Sequence, residues 1–220
     1  YKHINSRYTF PMDQHQEHKL KELKFSSTRI EALTDGIFAF AMTLLVLNLN
    51  DPQLRGLVTN QELITNLTAL APRFYIFLLS FALLASAWGV HHRQFSYIKG
   101  SDNTLMWINM LRLLFVVIVP FSSVLVGEYG SLPAAAFFFC FNMFGLSVVS
   151  YYELEYAVHK GFTEGLADEH KKASRLKGAY PVVVSSIACL VALFKPELSY
   201  WLFALIPVGI LILKKFGKVV

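Results

Sequence analysis

The stretch "RIEALTDGIFAFAMTLLVLNLN", residues 29–50, carries Arg29, Glu31 and Asp35 into the mouth of an apolar run. Two other stretches set polar groups at the ends of apolar runs in the same way. "WGVHHRQF", residues 88–95, holds Trp88, His91 and His92, and "LMWINMLRLL", residues 105–114, holds Asn109 and Arg112. Ionisable side chains in such surroundings are costly and are as a rule functional or paired. The set suits three chemistries. It can form a buried hydrogen-bonded scaffold, it can pass ions or protons through Asp35, His91, His92 and Arg112 in a coupled carrier, or it can bind a metal. Adjacent histidines on a helix point about 100° apart, and no carboxylate-rich ligand set recurs in other apolar runs, so no metal site is expected. Neither a G-x-S-x-G turn nor any other nucleophile set is present, and no enzyme activity is expected. Cys140 and Cys189 both lie in apolar runs and read as small hydrophobes, with no disulfide framework and no zinc spacing. No cofactor is implied.

These residues are expected to be carried by membrane helices. Charged residues make up 16% of the chain, against about 25% in soluble domains. A bilayer core about 30 Å thick takes about 20 mostly apolar residues per helix. Six segments qualify: about 33–50, 68–91, 105–126, 133–152, 179–194 and 198–213, with a break between the last two at Lys195-Pro196-Glu197. With six spans, alternate loops share a side. One side collects sixteen Lys and Arg and the other only Arg55, Arg73 and Lys195, so both termini are expected in the cytoplasm. The net charge of +5 is therefore a topology signal, and no nucleic-acid partner is expected. The first 27 residues are polar and lack an apolar core of signal-peptide type. The expected organisation is a cytoplasmic segment over 1–27 and a six-helix transmembrane domain over 28–220, all-α and multi-pass. The longest loop is expected over about 159–175.

This topology brings Asp35, Trp88, His91, His92, Asn109 and Arg112 to one level near the cytoplasmic face. A capping box, Thr28-x-x-Glu31, is expected to start the first helix and account for Glu31. Asp35 lies one turn beyond Glu31, a like-charge spacing, and Arg29 points away from it, so each needs a partner from another helix. On a helical wheel Gly36, Phe40, Thr43, Leu47 and Asn50 share one face, with Leu44 beside it. Phe38, Met42, Leu45 and Leu49 form the opposite, packing face. Thr43 either bonds the carbonyl of Ala39 in its own helix or serves as a polar point in a pore.

"RIEALTDG", residues 29–36, resembles the R-x-x-x-F-S-D-G signature of the transmembrane protein 175 family of potassium channels, with Leu33 in place of Phe and Thr34 in place of Ser. "WGVHHRQF" resembles that family's W-x-x-H-H-x-x-F pattern. Asn109, the Pro-Phe at 120–121 and "FAFAMTLLVL" are similar as well, so the likeness covers most of the first three helices. It implies a potassium-selective, leak-type cation channel. Members with a single repeat, as here, are prokaryotic plasma-membrane proteins that assemble as homotetramers, with the first helix of each subunit lining the pore. Phe40 then falls on a narrow pore position usually held by Ile or Leu, Thr43 on a polar pore position, and Leu44 and Leu47 on further apolar layers. Arg29, Thr34, Asp35, Gly36, Trp88, His91, His92, Asn109 and Arg112 form the structural network. The implied partners are the bilayer, monovalent cations and other copies of the chain, with K+ the permeant ion. The rival reading is a proton- or ion-coupled secondary transporter built on Asp35, His91, His92 and Arg112, with Pro120 and Pro207 as helix breaks.

Overall fold

The computed structural model describes the backbone of residues 14–49, 59–163 and 168–216, and the side chains of 29–49, 59–163 and 175–210. Helix α1, Gln14–Leu44, runs unbroken into the first apolar stretch and tightens into a 3-10 turn over Leu45–Leu49. No Pro or Gly interrupts it before Gly36, which is why the helix begins well before the bilayer. Thr28 and Glu31 therefore lie in mid-helix, and the expected capping box is not a helix start. The expected boundary at 27/28 likewise falls inside α1.

A short helix not foreseen from the sequence, α2 (Asn60–Ala69), precedes the second long one. It is started by a capping box at Thr59: Glu62 N–H donates to Thr59 Oγ1 at 3.2 Å, and Thr59 N–H donates to the Glu62 carboxylate at 3.1 Å. Pro72, in the first turn of α3 (Ala71–Tyr97), separates the two, since proline fits a first turn but not a helix interior. Helix α4 (Asn103–Tyr129) is capped by Asp102, which accepts from Leu105 N–H at 2.8 Å. Helix α5 (Pro133–His159) opens on another first-turn proline and ends well beyond the expected 152. Helix α6 (Asp168–Ala192) begins inside the segment expected to be the longest loop. The break at Pro196 is found where expected, and it opens α7 (Pro196–Phe216).

Among the described residues, five helices are long and apolar enough to cross a membrane: Arg29–Leu49, Ala71–Tyr97, Asn103–Tyr129, Pro133–His159 and Arg175–Ala192. The described part of α7, Pro196–Ile210, is a shorter apolar sixth. Short connections fold α5 back on α4 and α7 on α6, and α6 packs on α5. Helix α1 packs on α3 and α4. The shared core includes Phe38, Leu45, Leu84, Val116, Phe139 and Phe203. Gly145 makes room for the Phe115 ring, so α4 and α5 approach closely. Large apolar residues such as Trp107, Phe121 and Leu190 also cover the outside, as a surface facing lipid tails requires. Pro120, Pro181 and Pro207 sit inside continuous helices, which membrane helices tolerate, and none of them breaks its span in two.

Candidate functional site

Two faces of α1 have opposite fates. Ile30, Thr34, Phe38, Ala41 and Leu45 recur at helical spacing and are buried against α3 and α4. Phe40 and Leu47 are 62% and 63% exposed, large fractions for apolar residues, and Thr43 and Gly36 are exposed with them. A methyl group added at Gly36 would meet nothing within 4 Å. Leu44 is half-buried at the edge of this face. Of the expected packing face, Phe38 and Leu45 are fully buried and Met42 and Leu49 half-buried. Asn50 lies outside the described residues.

The Thr43 hydroxyl donates to the carbonyl of Phe40 at 2.8 Å, three residues back rather than to Ala39 four back. Threonine reaches either carbonyl according to its rotamer, and the nearer one is favoured where the helix is about to tighten. That bond uses the hydroxyl proton. The oxygen keeps acceptor capacity on the open side of the helix.

The polar residues sort into an outer pair and an inner chain. Outside, Trp88 Nε1 donates to Asp35 Oδ1 at 2.8 Å, and His92 stacks on the Trp88 ring at 5.7 Å between centroids. Inside, Asn109 Nδ2 donates to Thr34 Oγ1 at 3.0 Å, joining α4 to α1. Arg112, one turn along the same face of α4, donates from Nη2 to Asn109 Oδ1 at 3.1 Å and also to His91 Nδ1 on α3. Its Nη1 lies 2.8 Å from Glu153 Oε2 on α5, and both side chains are only 1% exposed. The guanidinium also sits over the Phe38 ring at 5.9 Å. A guanidinium has donors only, so His91 Nδ1 must accept, which leaves the ring proton on Nε2. His91 is buried and His92 exposed, as neighbours about 100° apart must be. Arg29 is exposed at the start of the first candidate span.

Thr34, Asn109, Arg112 and His91 thus meet as the sequence suggests, and Asp35, Trp88 and His92 meet apart from them. Among the described residues no hydrogen bond joins the outer pair to the inner chain. The four residues of the carrier reading, Asp35, His91, His92 and Arg112, are therefore split between two environments. Glu153 was missed by sequence reasoning. It stands with Glu155 in "VVSYYELEYAV", just past residue 152, where the fourth span was expected to end. The inner chain does what buried charge allows at least cost: each ion has a partner, and four helices are tied through one guanidinium.

The fold and these two features define a multi-pass α-helical membrane protein whose first span is pinned on one face and open on the other. The family model described as endosomal/lysosomal potassium channel TMEM175 matches residues 29–120, the part that contains the open face, the outer pair and most of the inner chain. A potassium channel of Chamaesiphon minutus is 42% identical over 107 residues, which span 49% of this chain and 52% of that one. The endosomal/lysosomal proton channel TMEM175 of Gallus gallus is 24% identical over 213 residues, 88% of this chain and 42% of that one. This chain therefore spans about half the length of the relatives it matches. The crystal structure of a lysosomal potassium-selective channel TMEM175 homolog from Chamaesiphon minutus superposes with a TM-score of 0.74 at 27% identity, covering 85% of this chain and 97% of that one. Over residues 29–120 the chain is thus similar to the TMEM175 family, and the relatives named above are ion channels.

Proposed function

We propose that the chain is one subunit of a potassium-selective leak channel in a prokaryotic plasma membrane, with four copies placing α1 around a common path. The observation that carries this reading is the division of α1. A helix fixed on one side by Thr34, Phe38 and Leu45 still exposes Phe40, Thr43 and Leu47 on the other. The names of the bacterial relatives support potassium as the ion, and the excess of Lys and Arg on one side supports cytoplasmic termini.

In this arrangement four Phe40 and four Leu47 side chains form two apolar layers around the path, with Leu44 at their edge. Such layers exclude ions by dewetting and favour those that shed water most easily. Potassium holds its water less tightly than sodium. Four Thr43 oxygens, each with lone pairs left over after the bond to Phe40, form a polar stop between the layers. No carbonyl filter of T-V-G-Y-G type occurs in the sequence, so selectivity is moderate. The Arg112 chain holds α1 in place and does not touch the ion.

Reversal potentials in mixed potassium and sodium test the role of Thr43. Thr43→Val keeps the shape and removes the oxygen, and is expected to lower the preference for potassium. An unchanged ratio would remove Thr43 from selectivity. Recording the protein in a planar bilayer also separates the rival classes, because discrete current steps come from a channel and are too large for the turnover of a carrier.

A further inference from the structure

Helices α3, α5, α6 and α7 enclose a cleft to which α1 contributes no residue. Its wall is apolar, formed by Leu83, Val90, Met143, Leu146, Ile206 and Ile210. It follows α3 from Leu83 to Gln94, about 16 Å at a rise of about 1.5 Å per residue. One end differs. There Gln94, Tyr151 and Lys177 line it, at the end of the bundle that holds the C-terminus of α3 and the first membrane turn of α6.

The groups at that end are not all used by the fold. Arg175, two residues before Lys177, is held by Glu155 through two bonds of 2.7 and 2.8 Å, which clamp α6 to α5 beside the cleft. Lys177 has no ion pair or hydrogen bond among the described residues. Gln94 is only 8% exposed, yet its Oε1 has no hydrogen-bond partner among the described residues. A buried acceptor in that state wants a donor from something not belonging to the fold. The nearby hydroxyls of Ser147 and Ser150 cannot serve, because each donates to its own helix at 2.9 and 2.7 Å.

An apolar groove that ends in one unpaired ammonium and one unpaired acceptor is complementary to a particular kind of molecule. It needs an acyl chain, an anionic group and a hydroxyl donor, in that order. We propose that the cleft binds an anionic membrane lipid with a hydroxyl-bearing headgroup, of the phosphatidylglycerol type. One acyl chain lies along Leu83 to Met143, the phosphate meets Lys177, and a headgroup hydroxyl donates to Gln94 Oε1. Basic pockets between membrane helices on the cytoplasmic side have this chemistry. The assignment does not rest on what α1 conducts.

Native mass spectrometry of the full chain in detergent tests it, with three probes: phosphatidylglycerol, phosphatidylcholine with the same acyl chains, and glycerol phosphate. Wild type is expected to retain phosphatidylglycerol about fivefold better than phosphatidylcholine, the effect of one basic residue on an anionic lipid. Glycerol phosphate, which has the head without the tail, is expected not to displace it. Lys177→Gln should melt with wild type and lose the preference. Gln94→Leu should weaken retention of phosphatidylglycerol. Ser147→Phe should fill the groove and weaken retention of both lipids, which separates a seated chain from a charge on the surface. Equal retention of the two lipids by wild type overturns the proposal. So does an unchanged preference in Lys177→Gln, or displacement of the lipid by glycerol phosphate at equal concentration, which would assign the site to free phosphate.

Discussion

Among single residues, some polar groups hold the helices together and others stand on the open face of α1. Arg112 and Glu153 are structural: they are buried together and each is the other's counter-ion. Glu153→Leu leaves the guanidinium buried without its carboxylate, a change that costs about 3–5 kcal/mol when one partner of a buried pair is removed. A large fall in melting temperature in detergent is expected. Arg112→Met combined with Glu153→Leu should recover much of it, since no ion then remains to be buried. A single variant that melts like wild type would contradict the pairing. In the proposed channel Thr43 is the group that faces the ion, since its side chain is exposed and its proton is spent on Phe40. Most of this division was readable in the sequence. Asn109, Arg112 and His91 stand out because a bilayer punishes unpaired polar groups, and helical spacing puts Thr34 and Thr43 on different faces. Glu153 was not readable in that way, because its meaning depends on where α5 ends, and helix ends are set by packing as much as by composition.

At the scale of elements, α1 shows both what periodicity reveals and where it stops. The two faces follow from a 3.6-residue repeat. The helix start does not: Thr28-x-x-Glu31 has the pattern of a capping box, but the preceding residues are themselves good helix formers and the helix passes straight through. Helix α2 was not expected from the sequence, since it is short and mostly polar, and its apolar Leu63, Ile64 and Leu67 are exposed rather than part of a core-facing stripe. Between α4 and α5 the close approach depends on Gly145, where a Cβ would run into the Phe115 ring. Gly145→Leu is expected to force the two helices apart and destabilise the fold by about 1–3 kcal/mol, the usual cost of overpacking. Thermal melting checks this, and a variant as stable as wild type would mean that Phe115 has room to move. The same pair of helices carries Arg112 and Glu153, so such a shift should also disturb α1 through Asn109 and Thr34.

For the whole molecule, the all-helical membrane architecture was legible because a bilayer demands long apolar helices. Assembly was not, since apolar residues cover every outer face of a membrane protein and an interface looks like a lipid-facing surface. Four subunits around α1 would give a particle of four times 24.9 kDa before bound lipid, and native mass spectrometry of detergent-solubilised protein is expected to find it. A monomer or dimer as the conducting species would contradict the four-fold path.

Thiol accessibility during current recording tests directly whether ions travel along the open face of α1. Cysteine is placed in turn at Phe40, Thr43 and Leu47, at buried Phe38, and at exposed Leu190 on α6, a helix not packed on α1. The native Cys140 is buried and Cys189 half-buried, so the unmodified chain serves as the reference. A small charged thiol reagent is expected to block potassium current in Phe40→Cys, Thr43→Cys and Leu47→Cys. It should leave wild type, Phe38→Cys and Leu190→Cys unaffected. Current that survives the reagent at all three α1 positions, or falls equally at Leu190, would show that the ions travel somewhere other than along the open face of α1.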